Sequence, residues 1–122
     1  QESDLDDILA ESIKRNERDG ITGLLAYDQF NFMQVLEGEE EAVNRLYLGI
    51  TADPRHQDVR LIQYEQIDHR QFDDWAMALA KLPEVPGNYI NKLYGGFKPQ
   101  LFSTRDALIY FNFLRNYLKR AA

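Results

Sequence analysis

Polar and apolar residues alternate along this chain with two different periods. Leu5, Ile8, Leu9, Ser12, Ile13 and Asn16 recur at three- and four-residue steps, giving one mostly apolar face that turns polar toward its end. Ser3 and Asp6 have the spacing of a capping pair, so a helix is expected to begin near Ser3 and to stop at Asp19-Gly20. Ile21 to Tyr27 and Phe30 to Glu37 are rich in β-branched, aromatic and aliphatic residues and predict a hairpin turned at Asp28-Gln29. Glu39, Glu40 and Glu41 lie where a helix start favours negative charge; Val43, Leu46, Tyr47 and Ile50 form that helix's stripe, and Asp53-Pro54 ends it. Val59 to Ile67 predicts a third strand and Trp75 to Lys81 a fourth. Pro83, Pro86 and Gly87 mark a linker, followed by a short helical stretch over Tyr89 to Tyr94. A long amphipathic helix is expected over Ser103 to Arg120, capped by Ser103 with Asp106 and burying Ala107, Leu108, Phe111, Leu114 and Leu118.

This order predicts an α+β sandwich: a mixed β-sheet with two helices on one face and the C-terminal helices on the other. Residues 1–82 form the expected core and 83–122 a C-terminal helical extension. No strand precedes the first helix, whereas a ferredoxin-like plait starts strand-helix-strand and keeps that first strand in mid-sheet. Its removal would leave ladder groups unpaired, at about 1–3 kcal/mol for each buried group. The expectation is therefore a fragment of a longer chain, or a strand supplied from elsewhere, such as a second copy.

Length and charge narrow the function classes. At 122 residues and 44% hydrophobic content, one core is expected. No apolar run approaches the roughly 20 residues that span a bilayer, so a membrane role is not expected. A net charge of −6 opposes binding a polyanion over a broad surface, so nucleic acid is not an expected partner. With no Cys there is no disulfide, thiolate nucleophile or cysteinyl adduct, which suits a reducing cytoplasm.

Four blocks carry a family likeness: Gly20-Ile-Thr-Gly-Leu-Leu-Ala-Tyr27, Phe32-Met-Gln-Val-Leu-Glu-Gly38, Asp53-Pro-Arg-His56 and Arg70-Gln-Phe-Asp-Asp-Trp-Ala-Met77. In this order and spacing, over residues 4 to 82, they resemble the BLUF family of flavin-binding blue-light sensors. The resemblance implies a ferredoxin-like fold that holds FAD noncovalently between the first two helices, with FMN and riboflavin as alternatives. Gln34 matches the switching glutamine, whose amide can both donate and accept. Asn16 matches the asparagine on the ring's polar edge, where alternating donors and acceptors suit a carboxamide. Asp53, Arg55 and His56 match a block near the flavin, and Ile8 and Ile50 on the two helices complete the expected contacts. Trp75 and Met77 match the tryptophan and methionine of the output strand. The chain departs from the family in lacking the tyrosine-bearing first strand, and Arg15 and Gly49 stand where several relatives carry other residues.

The resemblance implies a noncatalytic photoreceptor acting on a downstream partner protein or through self-association as a homo-oligomer. The alternative is a BLUF-like binding module without photochemistry. An enzyme is not expected: no nucleophile-and-base arrangement, phosphate-binding glycine loop or paired-carboxylate signature stands out. His69 has no neighbouring ligands spaced for a metal. Lys14, Arg15 and Arg18 form a basic run for which the helix dipole already accounts at Arg18.

Overall fold

The computed structural model describes residues 2–28, 30–72, 75–82 and 93–121, with side chains from residue 7 to residue 120. The first helix, α1, spans Glu2–Asp19; the Ser3–Asp6 capping pair lies outside the described side chains. Its end follows from Gly20, which takes φ +69 and lets the Ile21 N–H reach back to the Asn16 carbonyl at 2.9 Å. A six-to-one closure of this kind needs the left-handed conformation that glycine adopts without a Cβ penalty. Strand β1 (Thr22–Tyr27) and strand β2 (Phe32–Glu37) follow. Asp28 makes their turn: its carboxylate accepts the Phe30 and Asn31 N–H groups, each at 2.8 Å. Helix α2 (Glu40–Ala52) opens on Glu40 and Glu41 and ends where the Asp53 N–H meets the Ile50 carbonyl at 3.2 Å. Strand β3 covers Ala78–Lys81, a 3-10 turn covers Pro99–Leu101, and helix α3 covers Thr104–Ala121.

The strands form one sheet in the order β2-β1-β3, with β1 and β3 parallel from Leu24 opposite Ala78 to Tyr27 opposite Lys81. A connection as short as residues 28–31 permits only an antiparallel β1–β2 pair, so the sheet is mixed. The fold is α+β.

Two compact units divide the chain. The first joins Gln1–Gly23, Leu36–Leu61 and Gln66–Met77; its buried residues include Leu9, Ser12, Asn16, Ile21, Leu46, Phe72 and Met77. The second joins Leu24–Val35, Ile62–Glu65 and Ala78–Ala122, with a core around Leu24, Ala26, Phe102, Tyr110 and Leu114.

Three expectations are corrected. Val59 to Ile67 forms no strand, and Leu61, Tyr64 and Ile67 are about half exposed. A β-pattern becomes a strand only where a neighbour takes its ladder bonds, and the sheet's three members do not include it. The last strand begins at Ala78, not Trp75, so Trp75 and Met77 precede the strand that was expected to carry them. In α3 the buried face is Ala107, Tyr110, Phe111 and Leu114, while Leu108 points outward. Steps of three, one and three from Ala107 keep a single stripe inward and leave position 108 about 100° off it. The expected cap of Ser103 with Asp106 is in place ahead of Thr104: Ser103 Oγ accepts the Asp106 N–H at 3.0 Å and the Ser103 N–H donates to Asp106 Oδ2 at 3.3 Å. Of the short helix expected over Tyr89 to Tyr94, only Leu93 and Tyr94 are described, and both are helical; residues 89–92 and the expected linker at Pro83, Pro86 and Gly87 lie outside the described residues.

Candidate functional site

The apolar face of α1 carries a polar residue into the interior. Asn16 is 0% exposed and follows Leu9 and Ser12 along that face. Its Nδ2 donates to the Ala76 carbonyl at 2.8 Å, while its Oδ1 is buried and has no partner. A carbonyl can only accept, so the nitrogen must face Ala76 and the oxygen must be the open end. An orphaned buried acceptor costs about 1–3 kcal/mol, a cost that a ligand N–H would remove.

The residue Asn16 binds lies between two others that the sequence singles out. Trp75 is half-buried and its carbonyl accepts the Gly23 N–H at 3.1 Å; Met77 is buried. Both therefore flank a main-chain group held from α1, although neither belongs to a strand.

Asp53, Arg55 and His56 come together at the end of α2. Asp53 takes the Arg55 guanidinium on both oxygens, Nη2 to Oδ2 at 2.7 Å and Nε to Oδ1 at 3.0 Å, and also the Arg55 N–H at 2.9 Å. The hydrogen bonds from Arg55 hold the Asp53 carboxyl well below the usual carboxylate range, and the same contact raises Arg55. Arg55 also reaches Glu11 Oε2 on α1 at 3.1 Å, so one guanidinium ties α1 to α2. His56 is half-buried and donates its N–H to the Asp53 carbonyl at 3.0 Å; burial, ahead of the opposing pull of Asp53, lowers its imidazole below the ordinary value.

Ile8 on α1 and Ile50 on α2 are both half-buried. Gln34 is half-buried on the stretch of β2 that belongs to the second unit. His69 is exposed, and among the described residues no three His, Asp or Glu side chains gather as metal ligands.

Two residues escaped the sequence reading. Glu11, on the exposed side of α1, looks like an ordinary surface acid, and only the fold shows that Arg55 reaches it. Glu37 was seen only as part of a motif, yet it is buried and accepts the N–H groups of Gln71 and Phe72. The signal was there: a carboxylate at an inward position of a strand whose neighbours Met33 and Val35 are apolar demands donors.

Residues 1–78 match the model of the BLUF family, sensors of blue-light using FAD. Photoactivated adenylate cyclase subunit beta of Euglena gracilis is 37% identical over 78 residues, which are 63% of this chain and 9% of that subunit. The blue light- and temperature-regulated antirepressor BluF of Escherichia coli (strain K12) is 31% identical over 78 residues, 64% of this chain and 19% of that protein. The chain thus spans under a fifth of the length of either relative. Among solved structures, BlsA in its photo-activated state aligns with TM-score 0.79 and 33% identity, covering 93% of this chain and 81% of BlsA. BlrB, a BLUF protein in its dark state, aligns with TM-score 0.65 and 40% identity over 67% of this chain and 62% of BlrB. No described helix is long and apolar enough to cross a membrane. With 78 of 122 residues matched by the family model, this chain belongs to the BLUF family of blue-light sensors.

Proposed function

We propose that this chain holds FAD noncovalently and reports blue light through a hydrogen-bond change at Gln34, passed to a partner protein or to self-association. The observation that carries this reading is the buried, unpartnered Oδ1 of Asn16 in a member of this family. The donor set fits the group: a flavin ring edge alternates acceptors with an N–H, and an open carbonyl oxygen is the acceptor such an N–H requires. Bound FAD supplies the absorption of blue light.

The residues of this chain do the rest. Asn16 binds the polar edge of the ring with its Oδ1 while its Nδ2 keeps hold of Ala76. Ile8 and Ile50 offer apolar side chains on α1 and α2 to the two ring faces and keep water out. Asp53, Arg55 and His56 line the end of α2; Arg55, already shared by Asp53 and Glu11, acts by fixing one helix to the other. FMN and riboflavin are the alternative ligands. Gln34 exchanges donor for acceptor by turning its carboxamide, and Trp75 and Met77 carry the consequence onward. Residues 1–82 form the flavin-binding core and residues 83–122 the helical extension through which a cytoplasmic partner reads the state. No catalytic step is assigned to these residues.

Titration of FAD fluorescence with the purified chain tests the claim. Wild type should quench the flavin, and Asn16→Ala should weaken binding by about tenfold, the worth of one buried hydrogen bond. Binding that ignores Asn16→Ala, or no binding at all, contradicts it. Tight binding with a spectrum indifferent to blue light leaves a flavin-binding module and overturns the sensor.

A further inference from the structure

Glu37 closes β2 and is 8% exposed, three residues after Gln34 on the same strand. Its carboxylate is committed to the main chain of a distant segment. The Gln71 N–H donates to Oε1 at 2.9 Å and to Oε2 at 3.1 Å, and the Phe72 N–H donates to Oε1 at 2.9 Å. Two successive amides on one buried carboxylate make a charge-assisted clamp, stronger and more directional than neutral hydrogen bonds. Close packing fixes the point from which it acts. A Cβ on the next residue, Gly38, would stand 3.2 Å from Ile21 Cγ1 and 3.4 Å from the Gly20 carbonyl oxygen, so the strand end is pressed against the end of α1.

The clamped amides lie just ahead of Trp75 and Met77 in sequence. Within the first unit, Glu37 accepts the amides of Gln71 and Phe72, the Gly23 N–H meets the Trp75 carbonyl, and Asn16 holds the Ala76 carbonyl. Asn16 is the residue matched to the ring edge, and Glu37 extends the strand of the residue matched to the switch. We infer that Glu37 is a positioning residue of the sensor: it ties the end of β2, the strand that carries Gln34, to the main chain at Gln71 and Phe72, and light loosens its hold on both. This rests on the function proposed above. The carboxylate suits the task because each of its hydrogen bonds is either made or lost within about an ångström.

Backbone amide exchange on the FAD-loaded chain, measured residue by residue in the dark and under blue light, decides the matter. Exchange at Gln71 and Phe72 should rise roughly tenfold or more in light, the effect of losing one buried hydrogen bond, while α3 amides stay unchanged. Glu37→Gln, which keeps Oε1 as an acceptor but removes the charge and the Oε2 contact, should raise exchange at both amides in dark and light alike. It should also alter the dark recovery of the spectrum by about threefold or more while leaving the light-induced absorbance change in place. Equal exchange in dark and light together with wild-type recovery in Glu37→Gln overturns the inference and leaves the sensor reading standing. A wild-type chain whose bound FAD shows no light-induced absorbance change overturns both.

Discussion

Each unit buries an apolar core, but one segment of each is held in a different way. In the first, the main chain at Gln71, Phe72, Trp75 and Ala76 takes directional polar contacts from Glu37, Gly23 and Asn16. In the second, four rings interlock: Phe97 stacks on Tyr110 at 5.9 Å, and Phe102 meets Tyr110 at 5.5 Å, Tyr94 at 5.6 Å and Phe97 at 6.3 Å. Ring pairs contribute about 0.5–1.5 kcal/mol each beyond their burial and tolerate small shifts without changing character. A hydrogen bond is either made or lost within about an ångström. Packing suits a frame and made-or-lost polar contacts suit a switch; the ring cluster lies in the second unit and these polar contacts in the first, while Gln34, the residue proposed above to switch, lies on the second unit's part of β2.

The sharpest way to break that comparison is in the frame. Leu114 is 0% exposed, so Leu114→Ala should cost about 3 kcal/mol in thermal unfolding, whether or not flavin is bound. A loss below about 1 kcal/mol would mean that the second unit is not held by its packed core. Next comes the switch side. Asn16→Ala removes the donor to Ala76 and should cost about 1–2 kcal/mol in flavin-free chain, partly offset because the orphaned Oδ1 leaves with it. Smaller still is the cap of α3: Ser103→Ala should cost about 1 kcal/mol by removing the acceptor for the Asp106 N–H. The smallest effect is one of pH. Burial lowers His56, so the unfolded chain binds its proton more readily than the folded one. Its contribution is full above about pH 6.5 and is lost as pH falls through the lowered folded value; His56→Gln should flatten stability over that acid side in urea titrations at stepped pH.

How far the sequence was legible follows the same division. The amphipathic stripes announced α1, α2 and α3, because a helix makes its own hydrogen bonds and its pattern needs no distant partner. Gly20 and Ser103 likewise act within one turn of where they stand. Val59 to Ile67 misled because a strand depends on a neighbour that its own residues do not encode. Leu108 misled for a simpler reason: it is as apolar as Leu114, and only the burial of Tyr110 shows which way the stripe turns. At the site, the Asp53-Arg55 pairing lies within one recognisable block and Asn16 on the polar end of a visible helical face, while Glu11 and Glu37 act through contacts more than 30 residues away.

One measurement bears on the central claim most directly: the visible absorption spectrum of the FAD-loaded chain in the dark, during blue illumination and after return to darkness. The account predicts retained yellow flavin whose absorbance moves slightly to the red in light and returns in the dark. A colourless chain that refuses FAD, or bound FAD with the same spectrum in all three conditions, would contradict it.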